Sequence, residues 1–353
     1  MPKVAVFTTV YNGQNYLERC IRSIQNQTSK DWIYFILDNG STDNTWEILR
    51  EYACKDKRII LWHQDINQIC IDNKMLLLYV IERIREYQEL YKFEYMCVLD
   101  VDDEYSPQFI EKMKSFIKDN NLDIAMCGTC WINEETGETI KEKVVNENIL
   151  LEGTDFVEYY PIYRNHIVTI WGGLYSLDFL NNCSFDWFQK APGMEDTAFC
   201  LEAFYHARRG GIISECLHKY YISYTSFSYK RLDNALDTIQ YIYDINKEYL
   251  LSYGPLSKIN ENYLYTLYLI LVKYFLQRFM LNEAELESST KFINQVILNE
   301  NMKYLLTKWG NVGIYSDRTV FVKEILDWVK RRNITLQFEV ETILNEYSLE
   351  DLL

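Results

Sequence analysis

Apolar and polar positions alternate in blocks along the first hundred residues. Residues 3–10 (KVAVFTTV) form a short apolar run that ends in the turn-prone YNGQN. Tyr16, Leu17, Cys20, Ile21 and Ile24 then fall at helical spacing. A second apolar run, WIYFILD (32–38), is closed by NGSTDNT, and Trp46, Ile48 and Leu49 predict a helix over 45–53. RIILWHQ (58–64) reads as a third strand, 73–91 as a long helix and YMCVLD (95–100) as a fourth strand. Such strand–helix alternation predicts parallel βαβ units in a doubly wound α/β sheet.

A helix (107–119), a strand (122–130) and a hairpin at ETGE follow, and then a mixed region to about 225. Beyond 230 the pattern is helical, over 232–252, 258–281, 283–299, 319–332 and 337–347. The chain therefore divides into an α/β domain, 1–228, and an all-helical domain, 229–353, with the boundary near 226–232.

Composition narrows the class. Of 353 residues, 48% are hydrophobic and 25% charged, the balance of a soluble globular protein. The formal net charge of −15 argues against a nucleic-acid partner, which needs basic patches. No run of 18 apolar residues predicts a spanning helix, and MPKVAVFTTVYN lacks the head of a signal peptide. The expected location is cytoplasmic, with a peripheral contact at the inner membrane face left open. YLYTLYLILVKYFLQRFM (263–280), interrupted by Lys273 and Arg278, reads first as a buried bundle helix. A homodimer interface and an acceptor or membrane-surface contact are its other readings. Among nine cysteines the only close pair is Cys127–Cys130, with no second pair to complete a zinc site, so buried reduced thiols are expected. The 29 tyrosines fill cores first and suit carbohydrate surfaces second.

The chemistry concentrates in MCVLDVDDEYSP (96–107), where Asp100, Asp102, Asp103 and Glu104 crowd the end of a core strand. Ligands of open parallel sheets bind outside the carboxyl ends of the strands. Carboxylate oxygens are hard ligands for Mg²⁺ or Mn²⁺, and a divalent cation relieves their mutual repulsion. The other reading is a solvated acidic loop that caps the helix from Pro107. The first βα turn carries neither G-x-G-x-x-G nor G-x-x-x-x-G-K-[ST], so a bound diphosphate would depend on the cation.

VAVFTTVYNGQNYLERCIRSIQNQT followed by DWIYFILDNGSTDNT resembles the opening of family 2 glycosyltransferases with the GT-A fold. LDVDD resembles the family's metal-binding D-x-D element, and GMEDTAFCLEAF (193–204) its later E-D element. The likeness covers about 3–226 and leaves the helical third unexplained. It implies an inverting, metal-dependent enzyme that moves a sugar from a nucleoside diphosphate donor, UDP first among them. The acceptor would be a hydroxyl of a glycan, lipid-linked sugar or glycoconjugate, in surface polysaccharide or glycoprotein assembly.

By the same resemblance, Thr9, Tyr11, Asn12, Asp38, Asn39, Asn67 and Asn73 contact the nucleotide sugar, with Asp100 in support. Asp102 faces the ribose or the metal, Asp103 holds the metal (Mn²⁺ or Mg²⁺), and His218 in CLHKYY is either a further ligand or an ordinary strand histidine. Asp196 is the general base, and Glu195 orients the site or binds acceptor hydroxyls. Acids in a helix's first turn are the structural alternative for both. Gly172-Gly173 in TIWGGLYS permits close approach of a sugar, and Trp171 could either stack on the acceptor or fill the core.

The sequence departs from the family pattern at three places. Asn39 stands for the second aspartate of a pair, Ile69 for a glycine, and Asp72 for an arginine that often holds the diphosphate; Lys74 is the nearest substitute. Two alternatives remain open: a nucleotidyltransferase, which would want a basic phosphate loop, and a non-catalytic sugar-binding or partner-binding protein that keeps the fold.

Overall fold

The computed structural model describes residues 3–67, 73–187, 190–222, 234–281, 286–308, 318–331 and 336–349. The chain forms two compact units, one of residues 1–190 with 194–223, the other of 191–193 with 224–353. The expected boundary at 226–232 lies outside the described residues.

The first unit is built on a sheet of ten strands: β1 (Lys3–Val10), β2 (Trp32–Asn39), β3 (Ile59–Gln64), β4 (Phe93–Val98), β5 (Glu104–Tyr105), β6 (Ile124–Asn133), β7 (Thr139–Lys143), β8 (Ile149–Glu152), β9 (Gly173–Ser176) and β10 (Arg209–Ile222). Its order is β3-β2-β1-β4-β9-β6-β10-β5, with β7 on β6 and β8 on β10. The helices of this unit are α1 (Leu17–Gln25), α2 (Thr45–Lys55), α3 (Asn73–Tyr91), α4 (Phe109–Asp119), the single turns α5 (Asp155–Glu158), α6 (Tyr160–Tyr163) and α7 (Leu177–Leu180), and α8 (Glu195–His206).

Strands β1 to β4 pair in parallel, as the alternation predicts, in the order β3-β2-β1-β4. They are apolar on both faces because helices cover both. Val4, Val6, Trp32, Tyr34 and Ile36 meet the apolar stripe of α1 (Leu17, Cys20, Ile21, Ile24) and the core face of α4 (Phe109, Ile110, Met113). The sheet as a whole is mixed: β9 runs antiparallel to β4 and β6, and β5 and β8 antiparallel to β10.

Strands β5 and β10 lie where apolar and polar positions do not alternate cleanly. β10 is interrupted by register shifts on either side of Cys216. Those irregularities break the period-2 signal. They also seat Cys216 beside Cys130 of β6, and the two form a disulfide with Cα atoms 6.1 Å apart. This corrects the expectation of reduced thiols throughout. The partners are 86 residues apart and meet only because β6 and β10 are neighbours, which no spacing rule reveals.

The second unit is helical: α9 (Ala235–Leu251), α10 (Lys258–Leu281), α11 (Leu286–Leu298), α12 (Glu300–Lys308), α13 (Arg318–Arg331) and α14 (Phe338–Leu349). Leu264, Leu267, Tyr268, Leu271, Val272 and Phe275 of α10 are buried, and the Tyr268 hydroxyl donates to Asn299 Oδ1 at 2.9 Å. That is the bundle-helix reading of 263–280. Among the described residues no helix is long and apolar enough to cross a membrane.

Candidate active site

The site collects at the carboxyl ends of β1, β2 and β4 and against β10. The chain leaves β1 through Asn12, at φ 52°, a left-handed conformation that asparagine tolerates. The Asn12 amide donates to Ser41 Oγ at 2.9 Å, and its side-chain oxygen accepts from the Thr42 amide at 2.8 Å. Gly13 N donates to Thr45 Oγ1 at 2.9 Å. The loops after β1 and β2 are thus one hydrogen-bonded surface. Tyr11 projects from it, 43% exposed, and Thr9 is half-buried beside Leu37.

Asp38 is fully buried at the end of β2. It accepts from the Ser41 amide at 3.2 Å and pairs with His63 Nδ1 at 2.8 Å. Asn39 donates to Asn67 Oδ1 at 3.1 Å. Gly40, at φ +76°, lets the chain pass Ile66 and Asn67 with no room for a Cβ, which would meet their backbone at 2.7 and 2.8 Å. The expected contacts of Asn39 and Asn67 therefore share one surface. Residues 68–72, with Ile69 and Asp72, and the side chains of Asn73 and Lys74 lie outside the described residues.

β4 ends at Val98, so Asp100, Asp102 and Asp103 sit in the turn beyond it, closed by the Asp103 amide donating to Asp100 O at 3.1 Å. One ligand oxygen from each of the three lies within 4.8 Å of the others. Asp103 is fully buried; Asp100 and Asp102 are partly exposed. Burial first, then the like charges of Asp103, Asp102 and Asp196, push the Asp100 carboxyl well above the usual range. Burial and Asp102 do the same to Asp103, against the Tyr221 amide, which donates to it at 3.0 Å. Burial also raises Asp102, while the Arg19 charge pulls it down.

The short strand β5 pairs Tyr105 with His218 of β10 and so brings His218 onto Asp103. The two are 3.2 Å apart and fully buried. Burial, reinforced by the Lys143 charge, holds the imidazole down to about 3, so the ring is neutral and the contact is not an ion pair. Asp103 Oδ2 and both ring nitrogens lack a hydrogen-bond partner among the described residues. Buried polar atoms left this way are costly. Carboxylates and a neutral imidazole form a donor set that suits Mn²⁺ or Mg²⁺ with carboxylates in the majority. The residues fit the cation.

Asp196 and Glu195 open α8. Asp196 can be reached from the crevice, yet protein atoms crowd it. That crowding, and next the Glu195 charge, push its carboxyl up to about 6, while the Ile170 amide pulls the other way. Its charge is felt at Asp100, so the structure brings the two acidic elements together. Trp171 is 7% exposed and stacks on His218 (4.4 Å) and Tyr220 (5.4 Å), so the core reading holds for it. Gly172, at φ +75°, places its carbonyl to accept from Cys127 N at 2.8 Å.

Three site residues were not expected. Arg19 of α1 donates to the Asp102 carbonyl, meets Glu134 at 3.3 Å and lies 3.7 Å above the Tyr221 ring. No local pattern marks it. Tyr221 contributes a backbone amide, which has no sequence signal. His63 was findable: one residue before the end of β3, it lies directly opposite Asp38 in parallel register, at the same carboxyl edge.

An acidic turn beyond β4 and a second acidic pair at the start of α8, beside a sheet whose first four strands run parallel, are the arrangement of a GT-A-like fold. The chain matches the model of Glycosyl transferase family 2 over residues 5–176. It is 27% identical over 268 residues to the uncharacterized glycosyltransferase YibD of Escherichia coli K12, 74% of this chain and 72% of that one. It is 26% identical over 192 residues to the glycosyltransferase GlyA of Streptococcus pneumoniae serotype 4, 52% of this chain and 26% of that one. Among solved structures, S. aureus TarS 1-349 in complex with UDP-GlcNAc superposes with a TM-score of 0.62 at 15% identity, covering 98% of this chain and 91% of that one. The mannosyltransferase PcManGT of Pyrobaculum calidifontis, in complex with GDP-Man and Mn²⁺, superposes at 0.50 and 12% identity, covering 99% and 88%. The protein is a glycosyltransferase with a GT-A-like fold.

Proposed function

We propose that the protein transfers a sugar from a nucleoside diphosphate donor, with UDP as the nucleotide, to an acceptor hydroxyl with inversion at the anomeric carbon. The observation that carries this reading is the acidic cluster beyond β4, with Asp196 near enough for its charge to act on it. One carboxylate oxygen from each of Asp100, Asp102 and Asp103 lies within 4.8 Å of the others, and the Asp196 charge is felt at Asp100. The UDP-GlcNAc bound to TarS and the GDP-Man and Mn²⁺ bound to PcManGT support a nucleotide-sugar donor.

In this reading the surface of Asn12, Asp38, Asn39 and Asn67 receives the nucleoside, and Asp102, Asp103 and His218 hold Mn²⁺ or Mg²⁺. The cation, when bound, supplies Lewis-acid stabilisation of charge on the departing diphosphate. Asp196 takes the proton of the acceptor hydroxyl, whose oxygen forms the new bond to the anomeric carbon as the bond to the diphosphate breaks. Glu195 keeps the Asp196 carboxylate basic by its charge. A base on the face opposite the leaving group gives inversion.

The test is a donor panel with Mn²⁺, with and without chelator, scored for nucleotide release, with the product anomer read by NMR. Asp196→Asn should still bind UDP and lose on the order of 10²–10⁴ in turnover. Release from no donor, or a fully active Asp196→Asn, overturns the reading.

A further inference from the structure

One face of the sheet runs from the carboxylate turn toward its β7 edge, and the register shows which side chains share it. His218 of β10 is level with Thr129 of β6, and Tyr220 with Trp131. Across the other side of β6, Trp131 is level with Lys141 of β7, and Thr129 with Lys143. Side chains level in register point to the same face, as do residues two apart on a strand. Trp171 lies flat on both His218 and Tyr220, and Tyr220 meets Trp131 edge-on at 6.3 Å. An aromatic wall thus leads away from the Asp103–His218 contact. It ends in two cations: Lys141 Nζ is 5.3 Å and Lys143 Nζ 5.4 Å from the Trp131 ring centre.

These lysines belong to an acidic chain. Its formal net charge is −15, yet among the described residues neither lysine has a carboxylate at ion-pair distance. Among the described residues, Lys143 Nζ donates to the Asn165 carbonyl at 2.9 Å. Burial brings its ammonium down to about 8, so an anion at its side would strengthen its charge. A half-buried indole with two ammonium groups beside it, neither paired with a carboxylate among the described residues, offers an apolar platform for a sugar ring and a complement for negative charge.

We propose that Trp131, Lys141 and Lys143 form the acceptor subsite, and that it takes a saccharide bearing an anionic group, phosphate or carboxylate, with a sugar ring on the indole. This rests on the glycosyl-transfer reading above, which is what calls for an acceptor.

The probes are trigalacturonate against its neutral galactose trimer, and maltotriose 6-phosphate against maltotriose. Each is titrated by calorimetry without donor, and then as acceptor in UDP release with Mn²⁺. At least one anionic probe should bind about tenfold more tightly than its neutral partner, and which pair shows it separates carboxylate from phosphate. Lys141→Glu, at an exposed position, and Lys143→Gln should each erase most of that preference, and Trp131→Phe should keep more affinity than Trp131→Ala. Equal binding of charged and neutral probes, no binding of either anionic probe, or a preference that survives Lys141→Glu overturns the proposal. Absence of UDP release from every donor would strike the transfer reading instead, because the binding preference is read without donor.

Discussion

Asp103 Oδ2 and His218 Nε2 stand 3.2 Å apart, both fully buried, without hydrogen-bond geometry between them. Two neighbouring ligands of one octahedral cation at about 2.1 Å would be about 3.0 Å apart. That separation suits two ligands of one cation. Replacing His218 with Ala should raise the Mn²⁺ half-saturation of nucleotide release by roughly 10–100-fold. Loss of the nitrogen donor should also shift preference from Mn²⁺ toward Mg²⁺. Unchanged Mn²⁺ dependence would reduce His218 to a buried strand residue.

The raised carboxyls set the response to pH. For Asp196 the folded-state value of about 6 lies above the ordinary carboxylate value. Protonation thus favours the folded state, and its stabilising share is lost as pH rises through about 6. Activity runs the opposite way, since the base must be ionised. Turnover should climb about tenfold per pH unit below about 6 and level off above it. The Glu195 charge is one cause of the upward shift, so Glu195→Gln should move the acidic limb to lower pH. A limb that stays in place would dissociate Glu195 from the base.

Cation binding should be visible without turnover. Asp100, Asp102 and Asp103 repel one another in the folded chain. Mn²⁺ at a hundred times its Kd should stabilise the fold by about 2.7 kcal/mol, and chelator should reverse this. Asp102→Asn and Asp103→Asn should each blunt the rise in Tm. A Tm indifferent to Mn²⁺ would argue against a cation at this turn.

The parallel half of the sheet was legible because each strand there is a continuous apolar run ending in turn residues, and the strand ends mark the ligand edge. The acidic turn and the acids at the start of α8 carry their own residue types, so they were legible too. What the sequence hid has two sources. Strand β5 is two residues long and owes its existence to pairing with β10, whose own alternation is broken around Cys216. The Asp103–His218 contact and the Cys130–Cys216 disulfide both follow from that strand placement. Arg19 acts through a main-chain carbonyl and an aromatic face, partners that leave no mark in spacing.

Arg19 fixes the carboxylate turn from outside. It donates to the Asp102 carbonyl and lies 3.7 Å over the ring of Tyr221, whose amide donates to Asp103. Arg19→Ala would free both ends of this clamp at once. Catalytic efficiency should fall about tenfold, carried by weaker Mn²⁺ and donor binding rather than by the proton-transfer step. Arg19→Lys should recover little, because an ammonium cannot reproduce a planar guanidinium stacked on a ring. Full rescue by lysine would mean that only the charge at Asp102 matters.

Gly40 joins stability to nucleotide binding. A Cβ there would sit 2.7 Å from the Ile66 carbonyl carbon and 2.8 Å from Asn67 N, both backbone atoms that cannot swing aside. The φ of +76° adds strain for any other residue. Gly40→Ala should therefore cost about 1–3 kcal/mol in urea unfolding. It should also push Asn67 off Asn39, whose amide it accepts, and weaken UDP binding measured by calorimetry. Gly137 provides the contrast: it has φ +71°, but nothing lies within 4 Å of an added Cβ. Gly137→Ala should carry only the backbone cost, about 1–2 kcal/mol, with UDP affinity intact. Equal losses of UDP affinity in the two variants would detach the Asn39–Asn67 contact from the nucleotide.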